Sequence, residues 1–275
     1  MVVYTAEALL RKCKCNPIVN PHYYRNCGCQ LMWEKLLSRI IAFSVLACTE
    51  SSMADIVFLV DGSWSIGTQN FEKIQDFLYT LVDGFDVGED KVRIGLIQYS
   101  DNPHTEFFLN TFRDKNEILQ KIQQLPYKGG GTRTGLGLKL MLNMLFVASA
   151  GSRALMGVPQ VAIVITDGQS QDNVELPAKA LKEQGIIVYA IGIREAKEEE
   201  LKEIASQPAS DYVYNVADFN ALSEISQAVI RVVCTRVEEV SREVSKVTKS
   251  SLGIVSRKPR RLELKDRPFC FSSGS

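Results

Sequence analysis

The sequence predicts an α/β fold: a doubly wound, mostly parallel central sheet with one antiparallel edge strand and helices on both faces. Two continuous apolar runs, Asp55–Val60 and Val161–Ile165, have the composition of strands that are buried on both sides. The two long runs and several shorter ones are separated by segments in which apolar residues recur at helical spacing. This alternation is expected where crossover helices join parallel strands. Both long runs lead into Asp-Gly, so each predicted strand carries an acid, Asp61 or Asp167, to its carboxyl end.

The antiparallel edge strand comes from a predicted hairpin. After the first strand, apolar residues continue at helical spacing as far as Phe85, and Thr68 is the predicted N-cap of that helix. The next two apolar segments, Val92–Tyr99 and Thr105–Leu109, flank the turn sequence Asp-Asn-Pro-His. Two strand-like segments joined by such a turn predict a β-hairpin.

The remaining elements alternate in the same way. The pattern predicts, in chain order, a short helix at Ile118–Ile122, a strongly apolar helix at Leu136–Phe146, a strand at Val161–Ile165, a helix at Leu176–Glu183, a strand at Ile186–Ile191, a helix at Glu198–Ser206, a strand at Tyr212–Val216 and a last helix at Asp218–Val233. Valines from Val237 to Val247 keep a heptad-like spacing, which allows the last helix to continue.

Composition narrows the classes of function. Lys+Arg and Asp+Glu both number 32 in 275 residues, so no overall basic field favours nucleic acid or an acidic membrane. Only two histidines occur, His22 and His104, which argues against a histidine-based hydrolase or a multi-histidine zinc enzyme. The fractions of hydrophobic (45%) and charged (23%) residues are those of an ordinary globular protein.

Three segments are predicted: an N-terminal segment at 1–47, a domain at 48–235 and a charged, flexible tail at 236–275. Residues 32–47 have a short basic lead, an apolar core and a small residue at Ala47, as in a signal peptide that begins late; a stray apolar helix is the alternative. The apolar run is too short to span a bilayer. The basic cluster Ser256–Arg261 is typical of a solvated linker rather than a nucleic-acid patch.

Seven cysteines are unevenly distributed, and residues 49–233 contain none. Cys48 and Cys234 bracket that region, so they form either a disulfide between the ends of the domain, in an oxidising compartment, or two unrelated thiols. The N-terminal segment holds two Cys-x-Cys pairs, which differ from the spacing of familiar zinc fingers and favour a disulfide-linked or fortuitous arrangement. These pairs are Cys13 with Cys15 and Cys27 with Cys29.

Polar side chains that could bind a metal follow the two long strands. In an extended chain alternate residues point the same way, so Asp61, Ser63 and Ser65 present three oxygens to one small space. Thr132 follows a run of three glycines that permits close approach to a ligand, and Asp167 adds a carboxylate from the other strand. Ligands of doubly wound sheets bind beyond the carboxyl ends of the strands.

Two carboxylates and three hydroxyls form a hard oxygen site, which Mg²⁺ or Mn²⁺ prefers. If the carboxylates act through water, the direct ligands are neutral, and the metal keeps an open position for a carboxylate of another molecule. That arrangement binds a partner and needs no chemical step. The alternatives are local: an acid at a strand end often caps a helix, and serine-rich turns are common.

Three motifs carry a resemblance to a known family. DIVFLVDGSWSIG, YKGGGTRTGLGL and VAIVITDGQSQD resemble the motifs of the von Willebrand factor type A domain, which include the metal-ion-dependent adhesion site (MIDAS). The resemblance spans about residues 48–235. Within the family, IQYSDNPHTEF, LKEIASQPASDYVYNVADF and VCTRVEEVSREV resemble the fibril-associated collagens of types XIV, XII and XX.

The resemblance implies a role for each residue of the site. Direct metal ligands are expected at Ser63, Ser65 and Thr132, with Asp61 and Asp167 nearby, often through water. The second threonine of the glycine turn, Thr134, is expected to be structural, and relatives often have Asn where Gly131 stands. Type A domains also commonly tie their ends with a disulfide, which fits Cys48 and Cys234.

The resemblance further implies a secreted protein of the extracellular matrix. Its expected partners are matrix proteins, such as collagen fibrils, matrix glycoproteins or proteoglycans, which would reach the metal through an acidic residue. Trp64, between the two serines, is either an exposed contact at the rim of the site or a side chain packed against the neighbouring helix.

Two other classes of function are weighed against adhesion. An intracellular type A domain that serves as a scaffold would share the metal site and lack the disulfide, so counting free thiols at Cys48 and Cys234 distinguishes it. Catalysis is disfavoured, because the glycine run lacks the P-loop and dinucleotide motifs and no histidine is obviously placed as a base. A magnesium phosphatase usually has Asp-x-Asp, whereas position 63 is Ser63.

Overall fold

A computed structural model of the chain describes the backbone of residues 53–255 and the side chains of residues 53–247. The predictions for residues 32–47, for the four N-terminal cysteines and for Cys48 concern residues outside the described part of the chain. Six strands form the sheet: β1 (Ala54–Asp61), β2 (Val92–Tyr99), β3 (His104–Phe107), β4 (Gln160–Thr166), β5 (Ile187–Ile193) and β6 (Val213–Val216).

Helices connect the strands and cover the sheet. They are α1 (Thr68–Asp83), α2 (Lys115–Gln123), α3 (Thr134–Leu140), α4 (Glu175–Glu183), α5 (Glu198–Ile204), α6 (Ala209–Tyr212) and α7 (Leu222–Val255). A π-helical turn at Met141–Leu145 extends α3, and short 3₁₀ turns occupy Ala148–Ala150 and Ala154–Met156.

The predicted fold class is confirmed. The strand order is β3-β2-β1-β4-β5-β6, and only the β2–β3 pairing among the six strands is antiparallel. Every residue of β1 and β4 is buried, which explains why these strands read as continuous apolar runs. The chain fills the β1-β2-β3 side first and then crosses to β4, so the order reverses between β1 and β4 and opens a crevice at their carboxyl ends.

Helix α1 shows how the helices attach to the sheet. Its apolar residues recur at three- and four-residue spacing, and those on the inner stripe, such as Phe71, Ile74 and Leu78, are buried. The end of α1 packs closely on α7, because a Cβ at Gly84 would lie 2.5 Å from Cδ1 of Ile230. Glycine at this position therefore allows the two helices to approach.

The predicted N-cap of α1 is wrong. The helix begins at Thr68, its cap is Gly67, and no side chain caps the first turn. Gly67 has φ of 73°, a conformation that glycine adopts without steric cost, and its carbonyl accepts a hydrogen bond from the amide of Phe71 at 3.0 Å. A backbone turn at glycine thus starts the helix in place of the threonine hydroxyl.

The last helix differs from the prediction at both ends. Asp218 caps a turn ahead of it, accepting hydrogen bonds from the amides of Asn220 (2.7 Å) and Ala221 (3.3 Å), and α7 itself begins at Leu222. The helix then runs past Cys234 to Val255. Val237 is buried against the domain, which supplies the packing that holds this part of the helix.

The amino end of β1 carries a buried ion pair. Arg153 Nε and the Arg153 amide donate to the two carboxylate oxygens of Asp55, at 2.9 and 2.6 Å, and Gln160 donates to the same carboxylate at 2.7 Å. The guanidinium also donates to the carbonyls of Ala54, Glu89 and Lys91. Because Asp55 is 0% exposed and Arg153 6% exposed, this network is part of the core.

Within residues 53–255, we find no helix that combines the length and the apolar character needed to cross a bilayer.

Candidate metal site

The loop after β1 brings the first three predicted residues together with the second carboxylate. Asp61 Oδ1 accepts a hydrogen bond from the amide of Ser63 at 2.8 Å, which folds the loop back over the strand end. The hydroxyls of Ser63 and Ser65 lie 3.0 Å apart, and the Ser65 hydroxyl donates to Asp167 Oδ1 at 2.7 Å. Residues that are 102 positions apart in the sequence therefore share one hydrogen-bonded cluster at the carboxyl ends of β1 and β4.

A second layer beneath the cluster was not predicted. Asp61 Oδ2 accepts hydrogen bonds from the hydroxyls of Thr166 at 2.9 Å and Tyr99 at 3.3 Å. Thr134, which is fully buried, donates its hydroxyl to Tyr99 at 3.1 Å. Tyr99 ends β2 directly beside Asp61 in the parallel pairing of β1 and β2, a register that the sequence pattern alone does not give. The Thr134 hydroxyl thus serves as a support of the site.

The glycine loop with Thr132 joins the other two loops through backbone hydrogen bonds. The amide of Trp64 donates to the carbonyl of Gly130 at 2.9 Å, and the amide of Gln171 donates to the carbonyl of Thr132 at 2.7 Å. Thr132 is 8% exposed, and its hydroxyl takes part in no hydrogen bond among the residues whose side chains are described. This hydroxyl is therefore available to a ligand from above the sheet.

Glycine is required at the start of this loop. Gly129 has φ of +70°, and a Cβ there would collide with the indole ring of Trp64. The ring of Trp64 also meets the ring of Tyr127 edge-on, with centroids 6.1 Å apart. Even so, Trp64 is 71% exposed, so of the two alternatives left open by the sequence, the structure favours the exposed contact at the rim.

Asp101 stabilises the turn at Gly131. Asp101 Oδ1 accepts a hydrogen bond from the Gly131 amide at 3.0 Å. A Cβ at Gly131 would lie 2.5 Å from Oε1 of Gln171, so a side chain at this position would displace Gln171.

Burial sets the electrostatics of the two carboxylates. Loss of solvation is the largest effect on Asp61 and raises its pKa from 3.8 to about 6. Hydrogen bonds from Ser63 lower this pKa, and the nearby charge of Asp167 raises it. Burial also raises the pKa of Asp167, opposed by the hydrogen bond from Ser65 and the positive charge of Arg194. Two carboxylates that lose hydration close together favour a bound cation or proton.

The donor set fits a hard divalent cation. Within the described part of the chain, no group of three or more His, Cys, Asp or Glu side chains could hold a metal, so any metal here depends on hydroxyl oxygens as well. The cluster supplies two carboxylates, Asp61 and Asp167, and two hydroxyls, Ser63 and Ser65, with the hydroxyl of Thr132 on the adjoining loop. All are oxygen donors, the type that Mg²⁺ and Mn²⁺ prefer.

Cys234 lies in α7, is 3% exposed and is disulfide-bonded. It is the only cysteine between residues 53 and 247, so its partner lies outside the described residues. Pairing with Cys48 stays a prediction.

The fold and the site define the class of protein. The profile of the von Willebrand factor type A domain matches residues 55–228. The chain therefore belongs to the von Willebrand factor type A domain family, as the three motifs indicated.

The chain is similar to collagens and matrilins. It is 46% identical over 198 residues to the collagen alpha-1(XII) chain of Notophthalmus viridescens, a match that covers 72% of this chain and 21% of that one. It is 44% identical to the collagen alpha-1(XX) chain of Mus musculus over 70% of this chain and 14% of that one. Matrilin-2 of Mus musculus is 40% identical, over 70% of this chain and 20% of the relative. The chain thus spans 14–21% of the length of these three relatives.

A solved structure shares the fold. Proximal thread matrix protein 1 from the mussel byssus superposes with a TM-score of 0.63 and 32% identity, covering 67% of this chain and 48% of that chain. The same mussel protein is also known with a zinc-occupied MIDAS motif, with the same TM-score and identity.

Proposed function

We propose that this chain is a secreted protein of the extracellular matrix whose type A domain adheres to a partner through Mg²⁺ or Mn²⁺. The observation that carries the proposal is the cluster in which Ser65 bonds both Ser63 and Asp167. It unites the ends of β1 and β4 at the point where the strand order reverses, which is where doubly wound folds bind ligands.

In this proposal Ser63, Ser65 and Thr132 bind the cation directly, and Asp61 and Asp167 hold it through water. When bound, the cation supplies an electrophilic position that accepts a carboxylate from the partner. The protein side of the site is preorganised, because Asp61 is held by the Ser63 amide and by two hydroxyls beneath it. The zinc found in the MIDAS motif of the mussel protein supports a divalent cation in the same motif here.

The contacts of the serines support adhesion over catalysis. The Ser65 hydroxyl donates to a carboxylate, and Ser63 is bonded to Ser65, so neither faces an imidazole base. His104, the one histidine between residues 53 and 255, is exposed at the start of the edge strand β3. We therefore propose that the domain performs no chemical step.

Two observations support the extracellular location over an intracellular scaffold. Cys234 is disulfide-bonded, and disulfides persist in oxidising compartments. The similar proteins are collagens, matrilins and a thread matrix protein. We propose matrix proteins, such as collagen fibrils, matrix glycoproteins or proteoglycans, as partners that present an acidic residue.

Replacing Thr132 by alanine tests the proposal, because it removes one hydroxyl and leaves both carboxylates. We expect the purified full-length chain to bind coats of reconstituted collagen fibrils or of proteoglycan-rich matrix in Mg²⁺, and to lose that binding in EDTA. Loss of a residue that only supports a metal ligand already weakens metal affinity by about 10–100-fold, so Thr132→Ala, which removes a proposed direct ligand, should weaken the Mg²⁺-dependent binding by about tenfold or more. The readout is the solid-phase binding curve.

Thr80→Ala is the matched control, because the Thr80 hydroxyl only donates to the carbonyl of Asp76 within α1. It should bind as the wild-type chain does. Adhesion that is equally strong in EDTA and in Mg²⁺, or unchanged by Thr132→Ala, would contradict the proposal.

A further inference from the structure

Trp64 is a large apolar side chain that remains exposed beside the candidate metal site. It lies between Ser63 and Ser65 in sequence, and 71% of its surface is open to solvent. Its amide donates to Gly130, and its ring lies against Tyr127 and the backbone of Gly129. Tryptophan is among the residues that most often contribute strongly to partner binding.

Asp101 presents a carboxylate on the same glycine run. Its Oδ1 accepts from the Gly131 amide, and its Oδ2 lies 2.8 Å from where a Cβ of Gly130 would stand. Asp101 is exposed and takes part in none of the ion pairs among residues 53–247. The nearby cation Lys128 lies 3.4 Å from Glu106, a carboxylate that it shares with Lys121, and it forms no ion pair with Asp101.

The two side chains flank consecutive glycines: Trp64 contacts Gly129, and Asp101 contacts Gly130 and Gly131. The missing side chains leave the indole ring and the carboxylate uncovered on one loop. An aromatic face attracts a guanidinium through its quadrupole, and a carboxylate pairs with the guanidinium by charge-assisted hydrogen bonds. Arginine suits both contacts, because its planar group stacks and donates at once.

We propose that Trp64 and Asp101 form a binding site for an arginine side chain of the same partner whose carboxylate reaches the metal site. This proposal rests on the proposed function and adds the chemistry of the partner. Since Trp64 is adjacent to both serines, the acidic and basic residues of the partner lie close together. An extended segment rises about 3.3 Å per residue, so the two residues are within roughly three positions of each other.

Selection from a phage library of random twelve-residue peptides tests the partner chemistry. The full-length chain is immobilised in Mg²⁺, and bound phage are released with EDTA. The expected result is that the released peptides contain Asp or Glu with Arg within about three positions. Released peptides with an acidic residue and no such preference for arginine would overturn this proposal and leave the proposed function standing. Failure of EDTA to release any peptide would count against both.

A double-mutant cycle then tests whether Asp101 is the residue that pairs with the arginine of the peptide. The peptide with arginine and its glutamine variant are each titrated against the wild-type chain, Asp101→Asn and Trp64→Phe in Mg²⁺. The asparagine keeps the oxygen that accepts from Gly131, so only the charge is lost. We expect the arginine to improve binding by about three- to tenfold on the wild-type chain, and by less than twofold on Asp101→Asn.

Asp90→Asn is the matched control, because Asp90 is an exposed acid just before β2, at the opposite end of the sheet. It should retain the full preference for arginine. Affinity for Mg²⁺, measured by thermal stabilisation, should be unchanged in Trp64→Phe. An equal preference for arginine on the wild-type chain and on Asp101→Asn would overturn the assignment of Asp101.

Discussion

Arg153→Met lowers the free energy of unfolding by about 3–5 kcal/mol, the cost of removing one partner from a buried ion pair. The change leaves the carboxylate of Asp55 uncompensated in the core, where it is 0% exposed. It also removes the guanidinium N–H groups that donate to the carbonyls of Ala54 and Lys91 over distances of less than 3 Å. Methionine fills a similar volume, so the loss comes from the polar network more than from a cavity.

Urea unfolding at pH 7.5 measures the effect, with Arg113→Met as the control. Arg113 pairs with Glu89 at 3.3 Å, but its side chain is 75% exposed, and exposed pairs contribute about 0–1 kcal/mol. The control should therefore unfold within about 1 kcal/mol of the wild-type chain. A loss of less than about 1 kcal/mol in Arg153→Met would show that the network contributes little to stability.

Asp61→Asn raises the stability of the metal-free protein at neutral pH by up to about 3 kcal/mol. The pKa of Asp61 is about 6 in the folded protein against 3.8 for the free group, a difference of roughly two units at 1.36 kcal/mol each. The folded state therefore prefers the protonated carboxyl. The stability that this preference contributes is fully present below pH 3.8 and is lost as the pH rises through about 6. Asparagine stays neutral and keeps one oxygen to accept from Ser63. Its amide NH2 replaces Oδ2, where the Thr166 hydroxyl can accept from it and donate to the Gly168 carbonyl instead.

Urea unfolding in EDTA at several values of pH from 3.5 to 7.5 tests this prediction. The advantage of Asp61→Asn over the wild-type chain should be small at pH 3.5 and should grow through the range from 3.8 to about 6. Asp90→Asn, an exposed acid elsewhere, should show no such growth. A constant difference between Asp61→Asn and the wild-type chain across this range would contradict the raised pKa.

Much of the fold could be predicted because the decisive signals are local. The apolar runs of β1 and β4 are long enough to identify buried strands, and each ends in an acid that the parallel sheet brings to one edge. The two serines follow Asp61 directly, so their proximity depends only on the loop. The contact of Ser65 with Asp167 then follows from β1 and β4 being neighbours.

The features that escaped prediction depend on long-range packing or on backbone geometry. Tyr99 supports Asp61 because the register of β2 places it there, and sequence pattern alone does not give register. The partner of Asp55 is 98 residues away, in a 3₁₀ turn with no periodic signal. Thr68 failed as an N-cap because a glycine turn serves instead, and α7 extends further because the domain covers Val237.

Thermal unfolding of the full-length chain in EDTA and in Mg²⁺ or Mn²⁺, beside Asp61→Asn, measures whether a divalent cation binds at the ends of β1 and β4. A ligand at a hundred times its Kd stabilises a fold by about 2.7 kcal/mol, which raises the Tm of a domain this size by roughly 5–11 °C. We expect this rise for the wild-type chain and its loss in Asp61→Asn, which remains folded without metal. A wild-type Tm that is the same in EDTA and in saturating Mg²⁺ and Mn²⁺, or an equal rise in Asp61→Asn, would contradict it.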